Sequence, residues 1–317
     1  LTRFLRFLPP VLGVLVLAGI GVGLHHELRR IGLHDVMAAL AATPRQHLRH
    51  ALEFLACLVG VMCAYDVPGV LFARRLPAFT ALAARRVGLA SFCAYSLSHV
   101  VGAPALSAAA IRVRLYAQWG VPPAAIARIV ALSASQFTLG FVTILGGILL
   151  MSPQSFPELG AALPAGALRA AGAVLWLGIG GYLGAARAKT VFRLRGRQVE
   201  LPPPALALMQ ILVGGADILL ASAVFYAVLP DADGLGYARV LTLYMAAFLS
   251  GLWSGLPGGA GVFDSVLLLG LSGFVPPAQA IGGILLFRVL YFLGPALTAA
   301  VCYAVHELWC SVVSRKA

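Results

Sequence analysis

Apolar runs long enough to cross roughly 30 Å of hydrocarbon recur along the whole chain. They predict membrane-spanning helices near Leu5–Leu24, Ala51–Phe72, Ala124–Leu150, Ala165–Ala185, Pro204–Leu229 and Ala278–Val305. Two further apolar regions are broken at their middle by glycine and proline. The first break reads Ser98-His-Val-Val-Gly102-Ala-Pro104 and the second Trp253-Ser-Gly255-Leu-Pro257-Gly-Gly-Ala-Gly261. The apolar arm after Pro104 ends at Arg112 and Arg114, and the second arm covers only Val262–Leu271. At 1.5 Å per residue neither can cross the core. Re-entrant helical hairpins are the economical reading, with a pair of tilted full crossings as the alternative. Such backbone is tolerated at depth only where protein or a watery cavity satisfies its polar groups.

About twenty residues after each break the same tetrapeptide returns, Val121-Pro-Pro-Ala124 and Val275-Pro-Pro-Ala278, and broken apolar segments at matching places in two halves point to a transport site. The expected fold is an all-α integral membrane protein. It has about six full transmembrane helices plus two re-entrant helical hairpins, in one domain over residues 1–317 with repeat halves near 51–150 and 204–306. Three full spans separate the hairpins, so they enter from opposite faces. Inverted topology follows, with the hairpin tips meeting near the midplane.

Composition agrees: 61% of residues are apolar and 11% charged, far from the usage of a soluble domain. The first span is too long and too well embedded in the pattern to be a cleaved signal peptide. Fifteen of the 23 Lys and Arg fall on segments that the alternation places on one side: Arg3, Arg6, Arg74, Arg75, Arg85, Arg86, Arg112, Arg114, Arg187, Lys189, Arg193, Arg195, Arg197, Arg315 and Lys316. The positive-inside rule makes that side cytoplasmic, with both termini. Residues 25–50 break the rule with Arg29, Arg30, Arg45 and Arg49, which suggests an interfacial amphipathic helix. The net charge of +12 is thereby explained without a nucleic-acid partner. Five cysteines lie in or beside apolar spans with no metal spacing, and no nucleophilic triad or phosphate loop is visible. No metal, cofactor or catalysis is expected.

A few polar groups remain inside apolar segments, where a charge costs at least roughly 2.5–3.5 kcal/mol. Asp66 has a bland reading, snorkelling or pairing with Arg74 or Arg75. Asp217, in Gly214-Gly-Ala-Asp217, lies deeper among small residues that favour close helix packing, and structural hydrogen bonding and substrate contact are both open for it. Arg288 has no nearby carboxylate in sequence; a buried pair with Asp217 or Asp264 stands against an anion site. The turn Pro257, Gly258, Gly259 and Gly261 leaves backbone N–H groups free at the positive end of the helix that starts at Val262. Asp264, in that helix's first turn, would stabilise the helix end by itself. Arg112 and Arg114, with Tyr116 and Trp119, are lipid-headgroup contacts or an interfacial anchor. Gln136 and Gln210 have packing-level support.

Arg112-Val-Arg114-Leu-Tyr116-Ala-Gln-Trp119-Gly120 and Gly255-Leu-Pro257-Gly258-Gly259-Ala-Gly261-Val-Phe263-Asp264 resemble the membrane part of the bacterial lysylphosphatidylglycerol synthase/flippase family. That family commonly shows Pro-Gly-Gly-Leu-Gly-Val-Phe-Glu at the second motif. Ala260 and Asp264 depart from it while keeping the chemistry. The chain stops after Arg315-Lys316, so the resemblance implies the flippase half without the cytoplasmic synthase domain. It further implies a bacterial inner-membrane phospholipid flippase moving an aminoacylated phosphatidylglycerol outward. On the residues, Arg288 and the Gly258–Gly261 turn would serve the phosphate, and Asp217 or Asp264 the ammonium. Expected partners are the lipid itself, with a separate aminoacyl-lipid synthase and a second copy of the chain as candidates. A hopanoid-like lipid, a small solute carried with protons, or a scaffold for a separate synthase are the alternatives.

Overall fold

Proline sets where most of the helices begin. Pro122-Pro123, Pro203-Pro204 and Pro276-Pro277 each place one extended proline at the cap and a second in the first turn, where its missing N–H is no loss. Both Val-Pro-Pro-Ala marks therefore do the same job, opening a span after a broken helix pair. The computed structural model describes residues 33–76, 79, 81–101, 103–155, 163–188, 191–194 and 197–314, with 18, 19 and 22. The expected span Leu5–Leu24, Arg3, Arg6, Gly102 and the Arg315-Lys316 end lie wholly or largely outside them.

The helices are α1 (Leu33–Ala42), α2 (Arg45–Ala64), α3 (Val67–Ala73), α4 (Ala84–Val101), α5 (Pro104–Gln118), α6 (Pro123–Met151) and α7 (Ala165–Arg187). After a two-stranded antiparallel hairpin, β1 (Val191–Leu194) and β2 (Arg197–Glu200), come α8 (Pro204–Val228), α9 (Tyr237–Ser254), α10 (Val262–Leu271), α11 (Pro277–Phe287) and α12 (Gly294–Ser314). Among the described residues five helical segments are long and apolar enough to cross a membrane: Arg45–Ala73, Pro123–Met151, Ala165–Arg187, Pro204–Val228 and Pro277–Cys310. These are the five expected spans that fall in the described region. The all-α membrane fold holds, with the small β-hairpin standing where a plain loop was expected.

The order of elements is span, broken pair, span on each side of α7. In the first pair α4 packs against α5, and in the second α9 packs against α10. At the first break Ala103 adopts φ 44, a left-handed conformation that costs a residue with a Cβ about 1–2 kcal/mol. At the second, Gly255, Gly258, Gly259 and Gly261 all have positive φ. The α5 arm runs on past Arg112 and Arg114 to Gln118, so those bases do not end it as expected. Arg112 is carried inward instead.

The seam of the molecule is α8, which packs against both α2 and α6. Gly140 of α6 and Gly214 of α8 lie backbone to backbone: a Cβ on Gly214 would sit 2.1 Å from the Gln136 carbonyl oxygen. Small residues let helices approach this closely where no hydrophobic force drives them together. Beside the crossing, Gln210 donates to the Leu132 carbonyl at 2.9 Å and Ser135 at 3.1 Å, and accepts from Tyr182 at 2.7 Å. Downstream, residues Arg288–Leu293 form a wide π turn, with the Gly294 N–H reaching back to Val289. Pro295 has no N–H to continue the ladder and its ring crowds the preceding turn, which accounts for the widening.

Candidate functional site

The tips of the two broken pairs meet. His99 and Pro104 of the first pair and Gly255, Gly258 and Gly259 of the second line one small pocket. Four residues of that pocket (His99, Pro104, Phe248 and Leu252) also border a cavity of about 250 Å³. Its walls come from both halves: Tyr65, Tyr95, Ser133 and Arg112 on one side, Asp217, Tyr244 and Tyr291 on the other.

Asp66 is fully buried at the turn between α2 and α3. Its carboxylate accepts from Arg112 Nε at 2.8 Å, Ser133 at 2.8 Å and Tyr116 at 3.0 Å, and its own backbone N–H is held by Ser91 at 3.1 Å. The expected partners Arg74 and Arg75 are not used: the break after Tyr65 turns Asp66 toward α5 and α6 rather than along its own helix. Tyr116 is likewise buried, closed on Asp66 rather than displayed to lipid. Burying an ion pair is tolerated when the remaining lone pairs are also satisfied, and Asp66 meets that condition.

Arg288 takes the first of its two readings. Its Nε and Nη2 grip Asp264 at 2.6 and 2.8 Å, with the Gly258 carbonyl 3.4 Å away, and the guanidinium lies over Phe263 and Phe292. Asp264 also accepts the Gly261 N–H at 3.0 Å. Its carboxylate thus occupies the helix end that looked suited to a phosphate, and pins the glycine turn to the last span. Arg114 is engaged elsewhere, bidentate to Glu307 at 2.9 and 2.8 Å, with Gln118 bonded to the same carboxylate.

Asp217 is different. It is 3% exposed and borders the cavity, yet among the described residues it has no cationic partner. Its carboxylate accepts a hydrogen bond from the Tyr95 hydroxyl, which lies 2.9 Å from that of Tyr291. Of the residues expected to bind substrate, the fold therefore brings Arg112 and Asp217 to one cavity and Gly258 and Gly259 to its neighbour. Arg288, Asp264 and Gly261 form a separate clasp, and Arg114 lies apart. Pro257 opens the tight turn that includes Gly258 and Gly259.

The sequence reading passed over Tyr95, His99, Tyr244 and Tyr291. Tyrosines normally gather at the membrane surfaces, so a tyrosine far inside an apolar arm was the available signal. His99 Nδ1 donates to the Tyr95 carbonyl at 2.8 Å, and its ring packs against Tyr95, Phe248, Tyr291 and Phe292.

The chain is 28% identical over 286 residues to the uncharacterized protein slr0712 of Synechocystis, which is 90% of this chain and 87% of that protein. It is 29% identical over 229 residues to the inner membrane protein YbhN of Escherichia coli, 71% of each. Over 93 residues it is 37% identical to the phosphatidylglycerol lysyltransferase of Staphylococcus haemolyticus, 28% of this chain and 11% of that enzyme. These similarities agree with the resemblance to a flippase-like membrane domain family. No family model matches it. The match to the lysyltransferase is confined to a small share of that enzyme, whereas YbhN and slr0712 run beside this chain for most of their length.

Proposed function

We propose that this protein is a multi-pass lipid translocator of the bacterial inner membrane. It moves a phospholipid bearing both a phosphate and an ammonium, such as an aminoacylated phosphatidylglycerol, from the inner to the outer leaflet without changing it covalently. One observation carries the reading: Arg112 and Asp217, a cation and an acid with no cationic partner among the described residues, border one cavity between two broken helix pairs. Flipping is slow because a charged headgroup must shed its water to cross hydrocarbon. Arg112 beside the phosphate and Asp217 beside the ammonium would replace that water.

The ten residues of α10 rise only about 15 Å, half of a ~30 Å core, which favours a re-entrant second pair. With α7 intervening, the two halves enter from opposite faces, as in carriers built on inverted repeats. The relatives fit the assignment by name, one an inner membrane protein and another a lysyltransferase acting on phosphatidylglycerol.

The test is lipid sidedness in a host that makes aminoacyl-phosphatidylglycerol from a synthase domain without its own flippase. An impermeant amine reagent should label more of that lipid when this chain is present, at unchanged total lipid. Asp217→Asn, inserted to the same level, should return labelling to background. Unchanged labelling by the wild-type chain would reject an aminoacylated substrate.

A further inference from the structure

The cavity holds a carboxylate with no fixed countercharge among the described residues, fed by a line of hydroxyls. Tyr95 spends its proton on Asp217, so at the 2.9 Å Tyr95–Tyr291 contact Tyr291 is the donor, and Tyr244 faces Tyr291 from α9. The charged and titratable groups around Asp217 are Tyr65 and Asp66 from α2–α3, Tyr95 and His99 from α4, Arg112 from α5, Tyr244 from α9 and Tyr291 from the π turn. The positive charge among them, Arg112, is already matched by Asp66. Phenol and hydroxyl dipoles steady a carboxylate but do not cancel its charge, and a lone charge in such a site is heavily penalised. The cavity is therefore electrically balanced in two conditions, with a cation beside Asp217 or with a proton on it.

We propose that Asp217 binds a proton and a cationic headgroup in alternation, so that the protein exchanges protons for headgroups across the bilayer. This rests on the reading of the cavity as the headgroup site. When the ammonium arrives, the O–H bond of the carboxylic acid breaks, its proton passes to water, and the carboxylate pairs with the –NH₃⁺ group. When the headgroup leaves, a proton from water on that side restores the acid. With a lysyl headgroup, whose two ammonium groups exceed its single phosphate by one charge, the charge at the site is the same in both conditions, and only these two balanced forms cross between inward-open and outward-open arrangements. A proton entering from an acidic exterior then drives a headgroup outward.

The experiment uses the full chain in phosphatidylcholine/phosphatidylglycerol vesicles carrying a trace of lysyl-phosphatidylglycerol. A pH gradient of about one unit is imposed, the vesicles are returned rapidly to one common pH, and outer-leaflet amine is labelled with an impermeant reagent. With acid outside, the outer-leaflet share should rise above equal distribution, toward a ceiling of about tenfold asymmetry for one-for-one exchange. Reversing the gradient should reverse the excess, and a protonophore should abolish it. Asp217→Asn should lose the response and Asp217→Glu keep it, while the wild-type result stands whatever the variants' folding. Faster equilibration that ignores the gradient would overturn proton exchange and leave the translocator intact. No acceleration of lipid movement by the wild-type chain would overturn both.

Discussion

Replacing Gly214 by alanine should destabilise the protein, while the same change at the adjacent Gly215 should not. A Cβ on Gly214 meets the Gln136 carbonyl oxygen at 2.1 Å and its carbon at 2.9 Å; one on Gly215 meets only Ile144 Cδ1 at 3.8 Å. The obstacle at Gly214 is backbone of α6, which cannot rotate away as a side chain would. Restoring ordinary contact near 3.4 Å requires the two helices to part by about 1.3 Å, loosening a seam whose packing has little hydrophobic drive behind it. Overpacking of this kind costs typically 1–3 kcal/mol. At Gly215 the alanine meets no such wall and recovers roughly 0.5–1 kcal/mol of backbone entropy inside a helix. Both variants would be unfolded by denaturant in mixed micelles and compared with wild type. Equal stabilities, or Gly215→Ala the weaker, would refute the view that α6 and α8 touch through bare backbone.

The two buried clasps give further expectations. Asp66→Leu and Arg112→Leu should each cost about 3–5 kcal/mol, because each strands a partner, and the two together should cost less than their sum; additive losses in the same unfolding assay would argue against the pairing. Arg288→Leu frees the glycine turn from the last span, so hydrogen exchange at the amides of Gly255–Gly261 should quicken by about tenfold or more as charge-assisted hydrogen bonds are lost. Unaltered exchange there would mean that the turn is held by its own backbone geometry.

The spans were legible because length and apolarity are local properties, and the proline pairs marked their starts. What stayed hidden was long-range. Asp66 lies 46 residues from Arg112, and reasoning from the nearest bases pointed to Arg74 and Arg75. A base inside an apolar arm reads as the arm's end, and only the buried carboxylate shows why α5 continues past Arg112. Asp217 was singled out by depth and by its small neighbours, and Gly214 turned out to make the crossing that those neighbours implied. Its phenolic neighbours escaped notice because tyrosine counts as apolar in a hydropathy pattern while carrying a hydrogen-bonding tip. The strands Val191–Leu194 and Arg197–Glu200 were masked by their bases, which fitted a cytoplasmic loop equally well.

The distribution of charge sorts the molecule into parts that hold and parts that are free to change. Asp66–Arg112 lies wholly within the first half and Asp264–Arg288 wholly within the second. Each ties the return arm of a broken pair to a flanking span, which makes each half a firmer body than helix packing alone would. Between the halves, the contacts at the cavity are hydroxyl to carboxylate, hydroxyl to hydroxyl and ring to ring. Such contacts cost less to exchange than a buried ion pair costs to break. One charged link across the halves, Arg114–Glu307, is about 15% exposed on both sides and joins α5 to the far part of the last span. A motion that pivots near this link and opens at the hydroxyls would expose Asp217 while leaving both buried clasps intact. The acid, without a cationic partner among the described residues, thus stands where the contacts between the halves are hydroxyls and rings rather than ion pairs.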